Sequence, residues 1–284
     1  RCSSGCWAST SASNVAVPIG TVAGGEWSEF HRRAAVLGLP QIPDDTVVSR
    51  YSELIAGRDH HVLLLGITRA LAALGCNLTA LDKSALPLPH LWPGAARSRR
   101  AVLGDWRNMQ RPSFLYSAAI GDGCLSTLEW PGEYRDVLAR VADALEPGGR
   151  LVIRCFIAPE GPESLEQIVA DVLARRETDV HATRWRVAMA AADANGAISS
   201  SDLAATWRRV FPPLPELAEW TGWSLADMEL LMDSFGRAKL HYSFVTRAAV
   251  VQTLPPRLVN ARFVPSGDYP LAERCPFLVA AREA

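Results

Sequence analysis

The stretch Leu145-Glu-Pro-Gly-Gly-Arg-Leu-Val-Ile153 decides the fold. Proline lacks an amide to donate and glycine lacks a Cβ, so Pro147, Gly148 and Gly149 stop a helix. Upstream, Tyr134, Val137, Leu138, Val141, Ala142 and Leu145 recur at the i, i+3, i+4, i+7 spacing of one buried helix face. A helix is therefore expected over residues 131–145, with Pro131 in its first turn, where the missing amide costs nothing. Downstream, residues 151–156 form a short apolar run, as a strand buried on both faces requires.

Outward from this unit the same alternation repeats. Val62–Leu65 is an apolar strand closed by Gly66, and residues 68–74 read as a helix. Residues 77–81 are a second strand ending at Asp82, and 101–103 a third, followed by Gly104-Asp105-Trp106. Residues 114–120 are a fourth, followed by Gly121-Asp122-Gly123. Strands alternating with helices call for a parallel sheet with right-handed crossovers. Strand character returns at Leu258–Val264 and at residues 276–281, joined through Gly267-Asp268-Tyr269-Pro270, a connection suited to an antiparallel hairpin.

The expected fold is α/β: a doubly wound, mostly parallel seven-stranded sheet with an antiparallel C-terminal hairpin and a helical insert before it. Residues 1–25 read as a flexible leader, 26–57 as N-terminal helices and 58–157 as the core. Residues 158–257 read as a helical cap and 258–284 as the hairpin that completes the sheet. Within the insert, Leu165, Ile168, Val169, Val172 and Leu173 form one apolar stripe, and Leu225, Met228, Leu231, Met232 and Phe235 another.

Composition narrows the function. Lys and Arg number 29 against 30 Asp and Glu, a net charge of −1 that argues against a nucleic-acid surface. No apolar run approaches the roughly 18 residues of a bilayer span. The six cysteines form no CxxC pair, and a reduced, cytoplasmic protein is expected. Nine tryptophans is a high count; Trp185, Trp207, Trp220 and Trp223 fall in the insert, either as its core or as an aromatic wall around a substrate.

In an open parallel sheet, ligands bind outside the carboxyl ends of the strands. After the first strand, Gly66 and Thr68 lead into a helix whose free amides suit an anionic group. Asp82 is placed to accept from a ribose diol, Asp105 from an adenine amino group, and Trp106 offers a flat ring. Asp122 and Gly123 face the middle of the crevice. Asp122 is the first candidate for a general base, and His31, on a helix able to fold over the pocket, the second. Cys124 reads as a packed thiol and His241 stays open. His60 and His61 lie at the far end of the sheet. No metal site is expected.

These residues resemble the class I S-adenosylmethionine-dependent methyltransferases. Residues 145–153 resemble that family's LxPGGxL motif, Leu81-Asp82 its acidic position after the second strand, and Gly104-Asp105-Trp106 its adenine-binding motif. The first motif departs from the usual acidic, glycine-rich pattern. Leu64-Leu-Gly-Ile-Thr-Arg-Ala70 keeps one glycine and resembles a branch that carries LLLG, an aliphatic residue and Thr. The resemblance implies S-adenosylmethionine as cofactor and methyl transfer to a small-molecule acceptor. A catalytically silent cofactor-binding protein and an NAD-dependent oxidoreductase are the alternatives.

Overall fold

The computed structural model describes residues 38–85, 91–237 and 240–284. His31, the expected leader and the part of the N-terminal helices before residue 38 lie outside the described residues. Helix α1 (Asp45–Leu54) opens on Asp44, whose side chain accepts from the Val47 amide at 2.9 Å. The core then runs β1 (Val62–Leu65), α2 (Arg69–Ala72), β2 (Leu78–Asp82), β3 (Arg99–Leu103) and β4 (Tyr116–Asp122). It continues with α3 (Gly132–Ala144) and β5 (Leu145–Arg154). The insert holds α4 (Leu165–Leu173), α5 (Val180–Ala191), β6 (Ala197–Ser199), α6 (Ser200–Val210), α7 (Leu214–Thr221), α8 (Leu225–Arg237) and β7 (His241–Ser243). After α9 (Arg247–Val251) come β8 (Leu258–Val264) and β9 (Phe277–Arg282).

The main sheet has seven strands in the order β3-β2-β1-β4-β5-β9-β8. Strands β1 to β5 pair in parallel, and β9 lies antiparallel between β5 and β8. All four side chains of β1 are buried, alternating between faces. Val62 and Leu64 pack with α1 and α2 on one side, while Leu63 and Leu65 pack with α3 on the other. Each such burial contributes about 1.5–3 kcal/mol, which is why this run has no polar position.

Several boundaries differ from the sequence expectation by one or two residues, and two differences bear on the site. The helix expected over 68–74 is a single turn, α2, and its N-cap Thr68 makes no side-chain capping bond. One turn aligns few peptide dipoles, so the anion site expected there is not built. Strand β5 starts at Leu145, opposite Tyr116, with a register shift on β4 between Tyr116 and Ala118. Pro147-Gly148-Gly149 thus sits inside an irregular ladder. A Cβ on Gly149 would lie 2.8 Å from the Glu146 carbonyl oxygen and 3.2 Å from that of Tyr116, so the approach needs glycine.

The cap has its own core, and α5 is its axis, buried on nearly every side. The expected helical cap with two apolar stripes covers α4 and α8 and does not single out α5, α6, α7 or α9. Helix α5 carries buried His181, Arg184 and Arg186 and so shows no apolar stripe. The two-stranded β6–β7 ladder was not expected. Trp185, Trp207 and Trp223 are buried and pack on aromatic neighbours, while Trp220 is exposed. Core packing, not a substrate wall, accounts for the three buried rings. Gly196, at φ +78°, would place a Cβ 2.2 Å from the Phe244 carbonyl oxygen. Gly196→Ala is expected to cost about 1–3 kcal/mol in urea denaturation, through backbone strain and overpacking.

Candidate active site

The carboxyl ends of β1, β2 and β4 converge because these strands are neighbours; Leu65 pairs with both Leu81 and Gly121. Gly66, at φ +84°, turns the chain out of β1 and donates its amide to the Leu81 carbonyl at 2.9 Å. Asp82 closes β2. Its Oδ2 accepts from the Ile67 amide at 3.2 Å and its Oδ1 from the Ser84 amide at 2.8 Å. Burial raises the pKa of the carboxyl, and the two amides oppose that shift. A carboxylate has about four lone-pair positions, so Asp82 keeps capacity for further donors.

Trp106 joins this pair. Its indole Nε1 donates to the Leu81 carbonyl at 2.6 Å, and its Cζ2 lies 3.3 Å from where a Gly66 Cβ would sit. The ring therefore covers the glycine. Asp105 goes elsewhere: Oδ1 accepts from the Arg107 amide at 2.9 Å, and Arg107 Nη2 donates to Oδ2 at 2.5 Å. The same guanidinium reaches Glu133 on α3 at 2.6 Å. Its hydrogen bonds hold the Asp105 carboxyl down at about 2. Asp105 and Trp106, expected to meet one ring together, are parted. The tryptophan lines the β1–β2 cleft, and the aspartate helps to pin its loop to α3.

The second cluster centres on Asp122. Arg154, at the end of β5, donates to Asp122 Oδ1 from Nε at 2.5 Å and to Oδ2 from Nη2 at 3.0 Å. Both side chains are buried. Arg154 Nη2 also donates to the Pro40 carbonyl at 2.9 Å, and Nη1 to the Tyr269 hydroxyl at 3.2 Å. Tyr51 of α1 donates its hydroxyl to the Gly121 carbonyl at 2.6 Å and accepts from the Arg154 amide at 3.2 Å. Burial pushes both tyrosines above their usual pKa. One guanidinium thus ties the chain before α1, the β4 end and the β8–β9 connection together. Protonating Asp122 would strand a buried cation, which is a strong argument against its use as a general base.

Gly123, at φ +61°, would place a Cβ 2.5 Å from Phe156, so that ring lies directly on the glycine. Phe156 stacks on Trp185 of the cap at 4.9 Å and 20°. Cys124 is buried and its thiol is pushed up by burial, as a packed thiol would be. His241 is exposed at the start of β7. Among the described residues, no cluster of three or more His, Cys, Asp or Glu could hold a metal ion.

Tyr51, Tyr269 and the Pro40 carbonyl were not legible as site groups, since nothing in their local sequence marks them. Arg154, with Phe156, was legible as a strand-end residue able to line an acceptor site, but not as the partner of Asp122. An arginine inside the apolar run 151–156 was the available signal, because a cation there needs a buried partner.

No protein-family profile and no curated protein matches the chain. Solved structures do. A Rhodobacter sphaeroides protein described as a putative zinc-dependent alcohol dehydrogenase is 12% identical, with TM-score 0.57, covering 91% of this chain and 98% of that one. DesVI from Streptomyces venezuelae is 15% identical, with TM-score 0.50, covering 89% and 96%. The CcbJ methyltransferase from Streptomyces caelestis is 22% identical, with TM-score 0.34; the match spans 40% of this chain and 54% of that one. At such identities the likeness is one of fold. Taken with the strand order and the antiparallel β9, the architecture is a Rossmann-like fold of the kind DesVI has.

Proposed function

We infer that this protein transfers a methyl group from S-adenosylmethionine to a small-molecule acceptor. The observation that carries this inference is Asp82. It ends β2 beside a positive-φ glycine, held by two backbone amides with lone pairs to spare. That is the chemistry a ribose diol needs. Gly66 lets the Trp106 ring close over the end of β1, and that ring bounds the space between β1 and β2.

The cofactor supplies an already activated methyl group, so the protein's part is placement and exclusion of water. Asp122 and Arg154 neutralise each other and give the crevice a rigid floor without net charge. Phe156 on Gly123 supplies an apolar wall beside it. An acceptor nucleophile that needs no deprotonation by Asp122 fits this floor best. His31 remains a candidate from sequence alone. A small acceptor and a cytoplasmic setting belong to the same proposal. Among the described residues no helix is long and apolar enough to cross a membrane.

Isothermal titration with S-adenosylhomocysteine tests the inference. The wild-type chain is expected to bind, and Asp82→Ala to bind about tenfold or more weakly, since hydrogen bonds to a charged group contribute about 1.5–3 kcal/mol. No binding at millimolar ligand would overturn it, as would a thermal shift given by NAD and not by S-adenosylhomocysteine. Equal affinity in the variant would remove Asp82 from the site. Binding without methyl transfer across a broad acceptor panel would leave a cofactor-binding protein.

A further inference from the structure

The edge of the sheet opposite Asp82 holds a second feature. At the amino ends of β1 to β4 the surface sinks into a cavity of about 460 Å³. That volume lies within the roughly 300–1,000 Å³ range of small-ligand sites. Arg97, Arg99 and Arg100 line one side and His61, Phe114 and Tyr116 the other, and no Asp or Glu belongs to the lining.

Two of the three arginines are held by neutral groups. Arg99 Nε donates to the Gly94 carbonyl at 2.9 Å, and Arg100 Nε to Thr79 Oγ1 at 3.0 Å across the β2–β3 ladder. Arg97 is exposed, and its guanidinium makes no hydrogen bond or ion pair with any described residue. None of the three pairs with a carboxylate among the described residues. Arg107, Arg154 and Arg186 differ, each countered by one or more acids. Positive potential therefore accumulates over a concave surface, where low-dielectric walls focus it.

The aromatic side is equally specific. Phe114 is 37% exposed, a high value for a large apolar ring. It is packed between His61 at 5.4 Å and Tyr116 at 5.3 Å, and the Arg100 guanidinium lies 5.3 Å from its centroid. A fixed ring with an accessible surface beside uncompensated guanidinium forks suits a ligand with a flat apolar group and an anionic head.

We propose that this cavity binds a small aromatic phosphate ester, with the ring against Phe114 and His61 and the phosphate on Arg97 and Arg100. Thr79 and Asp82 stand three residues apart along β2, about 10 Å at strand rise. The site is therefore separate from the crevice at the carboxyl ends, and it does not depend on the function inferred for that crevice.

Calorimetric titration of the whole chain with phenyl phosphate in low salt tests this, with phenol and inorganic phosphate as separate arms. Phenyl phosphate is expected to bind, and either half alone about tenfold or more weakly, because ring and anion contacts act together. Arg97→Ala with Arg100→Ala should weaken binding about tenfold or more, with loss of the charge-assisted bonds. Arg97→Glu breaks no hydrogen bond or ion pair among the described residues and should do likewise with unchanged thermal unfolding. Saturating S-adenosylhomocysteine should leave the titration unchanged. Absence of heat at about 5 mM phenyl phosphate would overturn the proposal, since Kd would then exceed the millimolar range. Wild-type affinity in both arginine variants, or displacement by S-adenosylhomocysteine, would also overturn it. So would tighter binding of a single-stranded RNA through the same arginines, which would make the cavity part of a nucleic-acid surface.

Discussion

Arg154→Met is expected to destabilise the protein by about 3–5 kcal/mol, the usual loss when one partner of a buried ion pair is removed. At this chain size that corresponds to a fall in Tm of roughly 10 °C. Asp122 would be left buried with Oδ2 unpaired and only the Tyr51 hydroxyl, at 3.5 Å, beside Oδ1, and the Pro40 carbonyl and Tyr269 hydroxyl would each lose a donor. Methionine matches the arginine stem in volume, so the lost charge and hydrogen bonds, not a cavity, set the size of the effect. Asp122→Asn combined with Arg154→Met should recover a large part of the loss, because no buried charge then remains. Urea denaturation of the wild type, both single variants and the double closes the cycle. A coupling energy near zero would mean that the pair does not hold the crevice floor. If Asp122 instead served as a free base, Arg154→Met would leave stability near wild type and shift the pH profile of turnover.

The second large effect is expected at Trp185. This ring is the seam between the cap and the core: it stacks on Phe156 and meets Tyr242 at 5.3 Å and Phe244 at 5.5 Å. The Arg184 guanidinium lies 4.3 Å from its centroid. Trp185→Ala should cost about 3–5 kcal/mol, as removal of a fully buried aromatic side chain does. The indole Nε1 has no hydrogen-bond partner among the described residues, so Trp185→Phe forfeits ring area and no bond. That variant should keep most of the stability, within about 1–2 kcal/mol of wild type. Urea midpoints and near-ultraviolet circular dichroism of the two variants make the comparison. A loss under about 1 kcal/mol for the alanine variant would show that the cap is held mainly by other contacts.

The elements read most reliably from sequence were those whose cause is local. Four consecutive apolar residues in β1 admit burial on both faces and little else. The α3 stripe, ended by Pro147-Gly148-Gly149, marks a helix stop whatever surrounds it. The turn at Gly267-Asp268-Tyr269-Pro270 implies that β8 and β9 run antiparallel. Helix α5 was missed for the opposite reason. A helix buried on nearly every side has no polar face to contrast with an apolar one, and its arginines and histidine hide it further. Strand β5 was read as starting six residues late because a ladder irregularity is a property of two strands, and sequence shows one at a time.

The candidate site divides along the same line. Gly66, Asp82 and Trp106 were visible because each follows a strand, and strand ends converge in any parallel sheet. Their mutual arrangement was not: Trp106 turns to cover Gly66 while its neighbour Asp105 leaves for Arg107 and Glu133. Asp122 looked like a free acid because its partner lies 32 residues downstream and Tyr51 lies 71 upstream.

By itself, the sequence determined that this chain builds a parallel sheet closed by an antiparallel pair, with polar residues at the strand ends. Hydrophobic period and turn residues act over a few positions and need no knowledge of the rest. Tertiary structure alone decided which strand-end acid remains available and which is neutralised, and where uncompensated arginines gather. A buried charge takes its character from whatever partner folding brings within a few ångströms. That partner is chosen by packing across the whole chain, not by neighbours in sequence.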